Sequence, residues 1–318
     1  MDVDLGGGDD TARLNGGAGD DDFFANPLTG RYVGPGFNHF VESAKEIFAN
    51  GSQGGTDRAT IFDSAADDIY IGRQEFSVLR GANDEFFVQM ASFERNFANS
   101  VNGGTDFAFF YDTPGDDNFF GRPGVAIMQD PEVSFFNFAA GFTRSFAYAT
   151  AGGFDQAFLT GSEGDDRYFG RQNLASLRGA NFEYFHQAEQ FERTFAFGGQ
   201  GGDDQAQFTG SPGDDTFTGF QTSSTWRGPN DSFFHTVNDF TNNIIFASEG
   251  GNDSAVLFDG PGDDLFFGRD DDSFLSRTNY FTRLVNVEEV AINGFNGPTN
   301  TLNVANLDYA LSQFGVWV

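Results

Sequence analysis

An internal repeat constrains this chain more than any other feature. The tetrad Gly-Gly-x-Asp recurs with its Asp at Asp10, Asp57, Asp106, Asp155, Asp204 and Asp253, at steps of 47, 49, 49, 49 and 49 residues. A second Asp, closing Gly-Asp-Asp or a relative of it, falls at Asp21, Asp68, Asp117, Asp166, Asp215 and Asp264 with the same steps. Between these marks each unit has the same pattern. A small residue alternates with a large one (Ala59 and Ile61, Ala108 and Phe110), then comes a Gly-Asp turn. A short segment follows with Tyr70, Phe119, Tyr168, Phe217 or Phe266 in one slot, then a polar corner and an aromatic run. Period-2 alternation between Gly/Asp turns predicts strands, and only residues 38–48 carry some helical character.

Six units in strict register predict an all-β fold, a parallel β-solenoid of the β-helix or β-roll kind, with a propeller as the rival. The expected layout is a single repeat domain over residues 1–318. Its repeats run over 6–53, 54–102, 103–151, 152–200, 201–249 and 250–294, with a C-terminal cap at 295–318. A short helix after Asn306 is expected in that cap, against an open N-terminal end. Halving the unit at the polar corner (Asp57, Asn83, Asp106, Glu132, Asp155) gives steps of 26 and 23, which would suit coils of 24–25 residues.

Composition narrows the function. The net charge is −30, from 47 acids against 17 bases, and this argues against nucleic acid and anionic membranes as partners. Cysteine is absent, so disulfides and thiolate metal sites are excluded. No apolar run approaches the ~18 residues of a membrane span, so no membrane insertion is expected. The first ten residues lack a signal peptide's basic start and apolar middle, so export would use another route or a leader that lies outside this sequence. The 43 Phe residues make disorder a poor expectation, because so many rings can offset the entropy of ordering.

Chemistry concentrates at the Gly-Asp-Asp turns. Residues 210–218 (GSPGDDTFT) match G-x-x-G-x-D-x-U-x, as do 161–169 and 16–24. This resembles the calcium-binding nonapeptide of the repeats-in-toxin (hemolysin-type) family. The resemblance implies Ca2+ held by hard oxygens shared between adjacent coils. The Asp residues in these recurring slots, Asp21, Asp57, Asp68, Asp106, Asp117, Asp155, Asp166, Asp204, Asp215, Asp253 and Asp264, are the candidate metal ligands. The family strings its nonapeptides in tandem, whereas here one match recurs per 49 residues. Asp112 and Asp259 also stand in place of the first Gly. The competing account is that these acids cap the turns through Asx hydrogen bonds to backbone.

Other recurrent residues point to architecture. Arg73, Arg122, Arg171 and Arg269, with Arg80, Arg178 and Arg227, suggest stacked arginine columns bridging coils to the acids. His186 and His235 share a slot with Val88 and Asn137, which reads as packing rather than a catalytic base. The slots of Phe87, Phe136, Phe185, Phe234 and of Phe93, Phe142, Phe191, Phe240 suggest core ladders. Alternatively, pairs such as Phe86-Phe87 put one ring in and one out.

No unit is singled out for catalysis, so no catalytic residue and no enzyme is expected. The expected role is an extracellular or cell-surface structural or adhesive module that binds calcium and self-associates end to end, with contact to a cell surface or polysaccharide. The alternatives are a polysaccharide-active β-helix enzyme and a metal-free filament or matrix subunit.

Overall fold

A computed structural model describes residues 2–199 and 201–318. It is almost entirely strand, with one short 3-10 turn at Pro229–Asp231. The fold is the expected β-solenoid. Two compact units divide the chain: residues 1–156 with 184–190, and residues 157–183 with 191–318. The fourth repeat is therefore shared between them.

Each full repeat contributes five strands. In the second these are Arg58–Phe62, Asp68–Gly72, Phe76–Gly81, Phe87–Ala91 and Arg95–Asn99. The first and last lie in one sheet, while the middle three form an antiparallel meander in the facing sheet. Pairing between turns of the solenoid is parallel, as in Arg58↔Arg95 and Phe107↔Ile69. The chain thus crosses between sheets three times per repeat. Three is odd, so each repeat begins in the sheet opposite its predecessor. Thr11–Asn15 and Phe107–Tyr111 share one sheet, and Arg58–Phe62 lies in the other. In the second unit Gln205–Thr209 and Ser254–Phe258 alternate likewise. The sequence period is 49 residues, but the structural period is two repeats.

Coils of 24–25 residues are not what forms. Arg58 pairs with Arg95, 37 residues on, Thr11 with Glu46, 35 on, and Arg95 with Phe136, 41 on. The meander lengthens each coil, and a halved repeat has no place for it. Two further expectations fail. Residues 38–48 form the strands Phe37–Glu42 and Glu46–Asn50 rather than a helix. The C-terminal segment extends the sheets as Thr301–Leu307 and Ala310–Gly315, with no helix after Asn306. Exposed edges offer unpaired N–H and C=O groups, which a strand satisfies and a helix laid across them would not.

Alternation places one residue set inward. Ile61, Tyr70, Phe110, Phe119, Phe208 and Phe217 are fully buried, as their slots predict. The adjacent phenylalanines split as the one-in, one-out reading requires. Phe86, Phe135 and Phe233 are buried, while Phe87, Phe136 and Phe234 stand half-exposed on the outer faces. The Phe87 slot is therefore not a core ladder. Its rings pack on outward neighbours, as in Phe48–Phe87 (5.6 Å) and Phe97–Phe136 (5.5 Å). The Phe93 slot is core as expected.

Candidate metal centre at the acid corners

Each of the first five Gly-Asp-Asp turns, or its relative, meets the Gly-Gly-x-Asp turn of the following repeat, and the contact is built from carboxylates accepting backbone N–H groups. The second Asp of Gly-Asp-Asp accepts the N–H four residues before it. The donors are Gly17, Ser64, Thr113, Ser162, Ser211 and Gly260, at 2.5–2.7 Å. That same Asp donates its own N–H to the Gly-Gly-x-Asp carboxylate of the next repeat. Asp21 donates to Asp57 (2.9 Å), Asp68 to Asp106, Asp117 to Asp155 and Asp215 to Asp253 (2.7 Å each), and Asp166 to Asp204 (2.8 Å). The first Asp of the turn is engaged too, since Asp20, Asp67, Asp116, Asp165 and Asp214 accept the N–H of the x residue.

The glycines explain why the turns can approach so closely. Gly104 has φ +92°, and a Cβ there would lie 2.2 Å from the Ala66 carbonyl oxygen. Gly153 repeats this over Gly115 at 2.1 Å. Any other residue would be strained by its dihedral and would clash with backbone.

Ten of the eleven sequence-predicted aspartates are thus brought together in five pairs, all at most 2% exposed: 21–57, 68–106, 117–155, 166–204 and 215–253. Asp264 has no acidic partner; it donates to Asn300 at 3.3 Å. The pairs do not form one continuous acidic column. Because successive repeats begin in opposite sheets, successive corners within each unit lie on opposite edges of the solenoid. Like charges therefore crowd within a corner, not along the axis.

Sequence reasoning missed Asp63. It occupies the slot of Asp112 and Asp259, five residues before the second Asp, and the 49-residue step would have located it. Asp63, Asp68 and Asp106 are all buried, with one carboxylate oxygen of each lying within 4.8 Å of the others. Ser64 and Ser100 hydroxyls donate into the cluster. Elsewhere carboxylate oxygens are left buried with no donor: Asp21 Oδ1, Asp57 Oδ2, Asp117 Oδ1, Asp253 Oδ2 and Asp264 Oδ1. Burial above all, with neighbouring carboxylates behind it, outweighs the accepted N–H bonds. It pushes Asp57 up to about 6, and Asp204 and Asp253 up to about 7. Asp68 and Asp106 are raised for the same reason.

This donor set is hard oxygen throughout, paired, anionic and partly unsatisfied, which fits calcium as the resemblance implies. The Asx account is equally visible, since every pair already holds backbone N–H groups.

Among the described residues the ion pairs of the arginines do not bridge coils to the acids. The pairs Arg80–Asp84, Arg227–Asp231, Arg269–Asp270 and Arg283–Asp272 each stay within one repeat. The Gly-Asp corners sit at the edges and many arginines on the flat faces, so several guanidinium groups meet rings instead. Arg73 lies 3.8 Å from the Tyr111 ring centroid and Arg58 4.4 Å from that of Phe97. The His slot is packing, as expected. His186 and His235 are buried, each with Nε2 on a carbonyl oxygen (Arg122 and Arg171), and burial lowers both to about 4. Asn137 uses its amide in the same way, on the Arg73 carbonyl.

Compared with known proteins, the chain matches no family model, no curated protein and no solved structure.

Proposed function

We propose that this chain is a structural or adhesive β-solenoid module of the cell exterior whose acid corners take up calcium. The observation that carries the reading is the set of buried carboxylate oxygens without hydrogen-bond donors, recurring at corners that bring two or three acids together. An anion pair in this state needs either a proton or a cation. Corners of two or three carboxylates, without a full cage, suit the ~10⁻⁴–10⁻³ M affinities of extracellular calcium modules, and this supports an exterior location. Open edge strands at Asp2–Asp4 and Ala310–Gly315 support association through strand addition. The same acids weigh against polysaccharide cleavage, because they are buried and hold backbone N–H groups.

One experiment tests the calcium reading: elemental analysis of the purified protein, with circular dichroism melts before and after chelation. Stoichiometric calcium and a lowered melting temperature are expected. A second reading has the Asx hydrogen bonds alone hold the corners, with shared protons relieving the charge. Metal-free protein with an unchanged melt would establish it in place of the first.

A further inference from the structure

The outer face of the second unit carries a break in the repeat that the acid corners do not explain. In the first unit, Ile69 and Phe107 are register neighbours, and Phe107 pairs in turn with Arg144. Ninety-eight residues on, the same three slots hold Arg167, Gln205 and Asn242, again in register across adjacent strands. A largely apolar row has become a polar one, and the surface opens there. A groove of about 600 Å³ includes Arg167, Gln205 and Asn242, and an adjoining hollow of about 200 Å³ shares Arg167 and Gln205 and adds Arg178 and Gln207.

Arg167 and Arg178 lie directly opposite each other across an antiparallel pair. Side chains so placed have Cβ atoms about 5 Å apart, and like charges there are destabilising. The equivalent positions in the first unit avoid this, since Ile69 faces Arg80, and Arg80 is paired with Asp84 at 3.1 Å. Among the described residues neither Arg167 nor Arg178 has an ion-pair partner. Arg178 is braced by the Ala180 carbonyl at 3.4 Å and lies 4.0 Å from the Phe182 ring centroid, contacts that hold it in place but leave the charge of the two facing guanidinium groups uncompensated. The two groups present a fork for an external anion.

Asn242 narrows the class of anion. With Gln205 and Gln207 it lines the groove with amides, which exchange hydrogen bonds with hydroxyls, so the ligand offers hydroxyl groups as well as a negative charge. A sulfate ion supplies the charge without a hydroxyl, whereas a sugar acid supplies both. Asp165 and Asp203 stand on the groove's rim, with the Asp203 N–H on the Asp165 carboxylate, and they oppose densely charged ligands. A polymer bearing one carboxylate per sugar fits better than a heavily sulfated one. The −30 of the whole chain does not forbid this, because salt screens charges beyond about 8 Å.

We propose that Arg167 and Arg178, with Gln205, Gln207 and Asn242, form a binding groove for an acidic polysaccharide of the uronate type. This gives the adhesive reading a ligand and rests on that reading for its biological use, but not on the calcium corners.

The test is isothermal titration calorimetry with short oligogalacturonate, neutral cello-oligosaccharide, a sulfated oligosaccharide and single-stranded DNA. Variants are Arg167→Ile and Arg178→Ser, because the repeat itself uses Ile69 and Ser276 in those slots and the fold tolerates them. Oligogalacturonate should bind most tightly, and each substitution should weaken it about tenfold, the loss of one charge-assisted contact. Melting curves, with and without calcium, should not fall below the wild-type position, which separates this result from the fate of the calcium reading. Equal affinity for the neutral sugar, tighter binding of DNA or the sulfated sugar, or unchanged affinity in both variants would each overturn the proposal.

Discussion

The second-repeat and sixth-repeat corners occupy the same place in the repeat but handle charge in opposite ways. Asp63 and Asp68 in one correspond to Asp259 and Asp264 in the other, 196 residues on. The third member differs. Asp106 accepts the Asp68 N–H at 2.7 Å, whereas Asn300 accepts the Asp264 N–H at 3.3 Å and donates its amide to Asp259 at 3.1 Å. The fourth differs as well. Where the second repeat has Gly81, the sixth has Arg277, nearly buried, donating to the Phe258 carbonyl and the Thr282 hydroxyl with Asp264 and Asp259 close by. Formal charge is thus −3 at one corner and −1 at the other. Burial raises Asp68 and Asp106, and Asp264 likewise, while donors from Asn296, Gly297 and Asn300 overcome burial and hold Asp259 below its usual value. One backbone corner therefore tolerates either charge state. Both corners take hydrogen-bond donors from the chain, but only the sixth adds an internal cation, Arg277, where the second has Gly81.

The sharpest way to separate the two is to remove calcium from the whole chain. Each occupied corner would lose about 2.7 kcal/mol at hundredfold saturation, so chelation should lower the melting temperature by many degrees. Hydrogen exchange should show the loss at the second-repeat corner and spare the sixth. An unchanged melt at low salt would remove calcium from the account.

Arg277→Gly, which installs the second repeat's residue, should come next. It leaves Asp259 and Asp264 buried without their cation and should cost about 3 kcal/mol in metal-free urea denaturation. Added calcium should recover part of that loss. If stability is unchanged, Arg277 is not the internal counter-ion.

Asn300→Asp converts the sixth corner's third member to that of the second. The lost amide bond and added charge should cost about 1–3 kcal/mol without metal, with a new calcium response in the same melt. The reverse exchange, Asp106→Asn, keeps the Oδ1 that accepts the Asp68 N–H and removes one charge. Stability in chelator should rise by about 1 kcal/mol while the second corner's calcium response fades. A loss of stability would mean that the third charge is structural.

The last handle is the pH dependence. Asp57, near 6 when folded, and Asp204 and Asp253, near 7, all sit above their unfolded values. From about pH 4 to 7 the folded chain then holds more protons than the unfolded one, so metal-free stability should fall as pH rises through that window. Saturating calcium should flatten the slope, which melts at pH 5 and pH 7.5 can measure.

Much of this was legible in the sequence because it is local. Strand positions follow from alternation, and the paired acids follow from two marks recurring at one step. Burial of Tyr70 or Phe119 follows from its slot. Asp63 was missed because a Gly or an Asp can fill its slot, so its role shows only where all three acids meet. The arginines were misread because their spacing carries no information about which face they share with an acid.

By itself, the sequence determined the period, the strands, the inward residues and the chemistry of the turns, since dihedral preference and alternation act over a few residues. Only the tertiary structure decided which strands pair. Three sheet crossings per repeat send successive corners to opposite edges, and stacked partners lie about forty residues apart because a meander intervenes. That same long-range register turns Asp68 and Asp106 into one buried corner, and sets Arg167 against Arg178 beside an open groove. Such contacts depend on which segments the whole chain brings side by side, and no local pattern encodes that choice.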